Sequence, residues 1–79
     1  MTYQEKHVAN LKKVHAIKDD ELRVIWVEQL ERAYAAGLAG EDRAAWLDQI
    51  ERDAGNDYWS RYYVATCRTG YNAGLEARA

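Results

Sequence analysis

Two histidines, two groups of carboxylates and one thiol are the residues of this chain whose types and spacing could do chemistry. His7 and His15 stand eight apart with Leu11 between them. On a helix that interval returns both rings to nearly one face but separates them by about 12 Å along the axis, too far to chelate one ion as a pair. A metal site would need ligands from another helix, and Glu5 or Asp19 cannot supply it alone. The spacing predicts solvated or boundary histidines instead, with His15 pairing with Asp19 four residues on, and no metal site.

Glu28 and Glu31 share one helix face, and Asp48, Glu51 and Arg52 share another. General acid and base work needs such groups held in a cleft with shifted affinities for the proton. The apolar periodicity assigns every one of them to water, so no catalytic residue and no cofactor is expected, and a body this small encloses little concave volume. Cys67 lies between Val64 and Tyr71 on the apolar side of its segment. A buried, inert thiol follows, since reactivity needs exposure and an activating base, and the neighbouring Arg68 is not enough.

The elements that carry these residues are all helical in pattern. Thr2 followed by Glu5 has the spacing of a capping box and predicts a helix over 3–18, with Val8, Leu11, Val14 or His15, and Ile17 or Lys18 as its apolar stripe. Asp19 and Asp20, with Glu21 in the first turn, restart the chain as a helix over 20–36. Its inward positions are read as Leu22, Ile25, Trp26, Leu30, Ala33 and Tyr34, widened by Val24 and Val27, which gives this helix the central place. Gly37 supplies the left-handed stop, with Leu38 folding back toward Ala33 as in a Schellman cap. A third helix over 41–54 opens with the acids after Gly40, with Ala44, Trp46, Leu47, Ile50 and Ala54 inward and Gly55-Asn56 as its end. Asp57 caps a fourth over 58–76, whose inner side holds Trp59 or Ser60, Tyr63, Val64, Cys67, Gly70, Tyr71, Gly74 and Leu75. Gly70 and Gly74 each weaken that helix by about 1 kcal/mol relative to Ala, so an end near Gly70 is the alternative. Their four-residue spacing suits close approach of another backbone, within the bundle or across a homodimer. The expectation is an all-α domain over 1–79, a small three- to four-helix bundle, orthogonal or up-and-down.

Composition narrows the partners. A single Cys excludes an internal disulfide, and no N-terminal apolar run or bilayer-length stretch is present, so a cytoplasmic protein without membrane contact is expected. The net charge of −2 conceals blocks: +3 over residues 1–18, −7 over 19–57, where eleven acids face four arginines, and +2 over 58–79. Six Tyr, three Trp and no Phe make every large ring one with a polar handle, suited to half-buried edges and interfaces. The acidic middle and the surplus rings together point to a non-enzymatic protein-protein interaction module, a small inhibitor or adaptor, offering Asp42, Asp48, Glu51, Asp53, Asp57, Tyr58 and Tyr62 to a basic partner. The alternative is a nucleic-acid-binding face built from Lys6, Lys12, Lys13 and Lys18 on the first helix with Arg61 and Arg68 on the last. The acidic middle repels a polyanion at range, and the segment after Gly40 is too acidic for a recognition helix. A small enzyme subunit or an assembly unit comes third.

Circular dichroism is expected to give a predominantly helical spectrum that melts cooperatively, and a chelator is expected to leave the melting temperature unchanged. A strand spectrum, or a chelator-dependent melt, would contradict the pattern.

Overall fold

Thr2, Asp19 and Asp57 each start a helix by accepting an amide proton that the helix itself cannot use: Glu5 N–H for Thr2, Leu22 N–H for Asp19 and Ser60 N–H for Asp57. In the computed structural model, which describes residues 2–79 and the side chains of all of these except residues 43–45, four helices follow. They are α1 (Tyr3–His15), α2 (Asp20–Ala39), α3 (Arg43–Asp53) and α4 (Tyr58–Arg78), and the described residues contain no strand. The all-helical bundle expected from the periodicity is what the chain forms. The capping box at Thr2 and Glu5 closes as its spacing implied. α1 stops at His15 rather than Lys18, because Ala16 and Ile17 close the end by donating to the carbonyls of Lys13 and Val14. α3 begins at Arg43, after the acids rather than with them. Ala44, placed inward by the pattern, lies outside the described side chains.

The predicted stop at Gly37 falls three residues early. α2 runs to Ala39 and ends at Gly40, which holds φ +73°, while Gly40 N–H donates to Gly37 O and Glu41 N–H to Ala36 O. This is the Schellman arrangement, formed by the second glycine rather than the first. Gly37 is instead buried against α4. A Cβ built on it would lie 2.0 Å from the carbonyl oxygen of Tyr71, and one built on Gly74 would lie 2.2 Å from the carbonyl oxygen of Tyr34. The two glycines therefore let the backbones of α2 and α4 touch, each accommodating the other helix, and α4 passes unbroken through Gly70 and Gly74. Leu38 does not fold back; it is exposed.

α4, not α2, holds the central place, since it contacts all three other helices. Val14, Trp26, Leu30, Ala33, Leu47 and Cys67 form the core. Trp26, expected to be buried, donates its Nε1–H to Thr66 Oγ1 at 3.1 Å, and Thr66 in turn donates to Tyr63 O at 2.8 Å. The rings of Tyr62 and Tyr63 meet Trp26 edge-on at 5.7 and 5.8 Å. α3 leans on α4, with Leu47 in the core and Trp46 stacked on Tyr71 at 6.2 Å. The inward stripe of α2 is narrower than its pattern suggested: Leu22, Val24 and Ile25 are exposed, because no helix covers its first turns on that side. Val8, Trp59 and Leu75 are likewise outside the core.

Trp26→Ala is expected to cost about 3–5 kcal/mol, the range for truncating a buried large aromatic. Gly37→Ala and Gly74→Ala are each expected to lower the melting temperature, although Ala is the better helix former by about 1 kcal/mol, because overpacking costs about 1–3 kcal/mol and the clashing atoms here are backbone. A neutral or stabilising Gly37→Ala in thermal melts would mean that the two helices do not touch as described.

Candidate partner-binding surface

Four large rings fall within six residues at the start of α4: Tyr58, Trp59, Tyr62 and Tyr63. Successive residues on a helix turn by about 100°, so these four spread over about 140° of α4 as two pairs, Tyr58 with Tyr62 and Trp59 with Tyr63. Tyr63 packs inward on Trp26 and its hydroxyl is made harder to ionise by burial. Tyr58 and Trp59 remain in water, 71% and 65% exposed, as an edge-on pair 5.2 Å apart, and Tyr58 also stacks on the half-buried Tyr62 at 6.4 Å.

Trp59 forms a ridge between two grooves that share Trp26 as their floor. On one side is a cleft of about 510 Å³ among the start of α2 (Leu22, Trp26, Gln29), the end of α3 and the residues just after it (Ile50, Asp53, Ala54, Gly55) and the start of α4 (Trp59, Ser60, Tyr63). It exists because α3 packs on α4 and leaves the first turns of α2 uncovered. On the other side a groove of about 380 Å³ runs past Lys13, Val14 and Ile17, with Tyr58, Trp59 and Tyr62 opposite.

The residues proposed from the sequence as a binding face all lie at the surface, with different local duties. Asp57 is tied to the first turn of α4, where its Oδ1 accepts from the Ser60 hydroxyl at 2.6 Å; these hydrogen bonds hold its carboxyl below the usual range. Asp53 lines the cleft and accepts from Gln49 Nε2 at 3.1 Å. Glu51 pairs with Arg68, so one member of the acidic set and one of the basic set bind each other. Asp42 and Asp48 are exposed. On the basic side, Lys6 lies over the Tyr3 ring at 5.4 Å, Lys12 and Lys18 are exposed, and Arg61 sits beside Tyr58 and Tyr62 in a shallow dip. Of Trp59 or Ser60, one of which the spacing turns inward, Ser60 is the half-buried one and Trp59 is exposed, and Leu22, expected inward, is exposed as well. The density of rings at 58–63 was the available signal.

The histidines separate. His15 is exposed, and its expected pairing with Asp19 does not form among the described residues, because Asp19 caps α2 instead. His7, expected at a wet or boundary position, is 5% exposed, stacked on Tyr34 at 5.2 Å, with Gly70 behind it. Among the described residues its Nδ1 has no hydrogen-bond partner. Burial pushes its affinity for a proton below that of an ordinary histidine, opposed by the nearby charge of Glu31. Burial likewise pushes the Cys67 thiol up to about 11, in keeping with an inert thiol in the core. Among the described residues no group of three or more His, Cys, Asp or Glu could hold a metal ion, and no helix is long and apolar enough to cross a membrane. Compared with protein-family models, curated proteins and solved structures, the chain finds no match in any of the three.

A histidine that is harder to protonate when folded contributes stability that is complete above its unfolded value, about 6.5, and is lost as pH falls from there toward its lowered folded value. Melting temperature is therefore expected to decline between neutral and mildly acid pH, and His7→Gln to flatten that decline while His15→Gln leaves it. An unchanged slope in His7→Gln would place the cause elsewhere.

Proposed function

We propose that this chain is a non-enzymatic module that binds another protein through the aromatic end of the bundle, as a small inhibitor or adaptor with a basic partner. The observation that carries this is the exposure of Trp59 and Tyr58 beside an apolar cleft. Exposing a Trp costs the favourable burial of a large ring, and neither ring is needed to complete the core. Rings of this kind lose water on binding and are over-represented among residues that dominate interface energies. The acidic balance of residues 19–57 favours a basic partner and speeds its approach. Of the acids first considered, Asp53 and Asp57 lie nearest this surface, whereas Glu51 is engaged by Arg68.

One observation favours a second reading, single-stranded nucleic acid. Lys13 shares a groove with Tyr58, Trp59 and Tyr62, and Arg61 adjoins the same rings, which is the combination of stacking platform and cation that such ligands use. The net negative chain opposes it.

Affinity capture from the native cell, with nuclease treatment, distinguishes the two. Trp59→Ala is expected to stay folded, with stability changed by less than about 0.5 kcal/mol as at other surface sites. It is expected to weaken the captured protein's affinity by about thirty-fold, the equivalent of a 2 kcal/mol hot spot. Full capture by Trp59→Ala would refute the proposal. A gel shift of single-stranded oligonucleotide abolished by Lys13→Glu with Arg61→Glu would establish the second reading in its place.

A further inference from the structure

We infer that α1 is an arm released by acid: when His7 takes up a proton, α1 swings off α2 and α4 about the link at residues 16–19, while α2, α3 and α4 stay packed together. This release is independent of the aromatic end and of any partner bound there. His7 is 5% exposed where α1 meets both long helices, stacked on Tyr34 of α2 at 5.2 Å and faced from α4 by Gly70, on which a Cβ would lie 3.3 Å from its Nδ1. Among the described residues that nitrogen has no hydrogen-bond partner. A neutral imidazole left this way forgoes one acceptor bond, but the imidazolium carries an N–H on both nitrogens and a full charge, and the same site would then hold a buried cation without a partner for Nδ1. The surroundings offer little to offset it. α2 sets the carboxylate of Glu31 and the phenol of Tyr34 beside the ring, Gly70 brings no side chain from α4, and α1 itself lines the dip with Gln4, Val8 and Leu11. Glu31 is exposed, so water screens its charge, and the cost of burial outweighs what that charge returns.

α1 is the element that yields, because the other three helices close on one another without it. The backbones of α2 and α4 touch at Gly37 and Gly74, and α3 rests on α4 through Leu47 and the stack of Trp46 on Tyr71. α1 buries His7 and Val14, with Leu11 partly covered, so one of its two buried side chains is the one that a proton turns against the fold. Its outer end is tied by bonds near the surface: the Glu76 carboxylate accepts from the amides of Tyr3 and Gln4 at 3.3 and 3.2 Å, and Gln4 Nε2 donates to the Tyr34 hydroxyl at 3.4 Å. Its inner end is a short link outside both helices. The far side of that link is anchored to α2, where Arg23 donates to the carbonyl of Ile17 at 2.9 Å and Asp19 accepts from the Leu22 amide at 2.9 Å. A swing at this link gives the ring to water while only the contacts of α1 are lost, which is a smaller rupture than unfolding the whole chain. It bares Ala33 and Tyr34 on α2 and Gly70 on α4.

Amide hydrogen exchange of the full chain tests this, followed by NMR at about pH 7 and about pH 5, with the intrinsic rate of each amide divided out. The α1 amides are expected to exchange through an opening more frequent than global unfolding and less steeply dependent on urea, since it exposes less surface. A ring that is protonated only when released, at the ordinary value of about 6.5, favours the open arm by at most about 25-fold between those conditions, and a rise of at least about threefold is expected. The imidazole signals of His7 report its titration in the unaltered chain, so the result does not hang on a variant that folds. His7→Gln is expected to hold the rise below about twofold, and His15→Gln to leave it, since His15 is already in water. The arm is ruled out if the α1 amides exchange with the same opening constant and urea slope as the core amides of α2 and α4, if their opening is equal at the two pH values, or if the rise survives His7→Gln. The first of these results would leave the decline of melting temperature with acid standing and remove only the separate movement of α1.

Discussion

At Gly37 and Gly74 the backbones of α2 and α4 approach until a single methyl group on either would fall within 2.2 Å of a carbonyl oxygen of the other helix. The rest of the bundle is arranged around this contact. Small side chains continue it along both helices, with Ala33 and Ala36 on α2 and Gly70 and Ala73 on α4, all buried. Where the helices are this close there is no room for large side chains between them, so the bulky core residues lie toward the other end, around Trp26 and Leu30. That division sets the polarity of the whole molecule. Between α2 and α4 one end is filled by backbone and methyl groups and the other by Trp26 and Leu30, while the rings of Tyr34 and Tyr71 lie outside the contact, against His7 and Trp46.

The two shorter helices are held onto this pair by mixed polar and apolar contacts. α1 turns His7, Leu11 and Val14 inward, and its N-terminal amides are satisfied by Thr2 and, across the fold, by the Glu76 carboxylate, which accepts from Tyr3 and Gln4 at 3.3 and 3.2 Å. A carboxylate at a helix N-terminus is doubly favourable, since it accepts orphan amides and faces the positive end of the dipole. α3 is fastened by Leu47, by the stack of Trp46 on Tyr71 and by the pair between Glu51 and Arg68, while the Tyr71 hydroxyl donates to the carbonyl of Glu41 in the preceding loop. With α3 committed to α4, the start of α2 has no cover. The exposed Leu22, the cleft over Trp26 and the bare ring of Trp59 are one consequence of that packing choice rather than three separate features.

A buried histidine with an unpartnered nitrogen and an uncovered tryptophan are opposite departures from economical packing. His7 stands between Tyr34 and Gly70, where its ring fills space that an apolar side chain of similar size could fill, and the fold bears the cost of the orphaned Nδ1. At the other end, apolar area that burial would stabilise is left to water. The first ties stability to pH, and the second keeps a large apolar ring in water.

Local chemistry was legible in the residues themselves. Caps at Thr2, Asp19 and Asp57 depend on side chains and amides two or three residues apart, and the burial of Trp26, Leu30 and Cys67 follows from helical spacing, so neighbours along the chain determined them. What depended on distant residues was not legible. Gly37 looked like a helix end because a glycine's freedom to stop a helix and its ability to admit another backbone are the same property, the absence of a Cβ; only the position of Tyr71 decides between them. Trp59 and Leu22 sat on helix faces that periodicity marks as inward, and His7 on one it left half wet, because a stripe records which side a neighbour could cover and not whether one arrives. The path of α3 along α4 left Trp59 and Leu22 bare, and the closeness of Tyr34 and Gly70 buried His7.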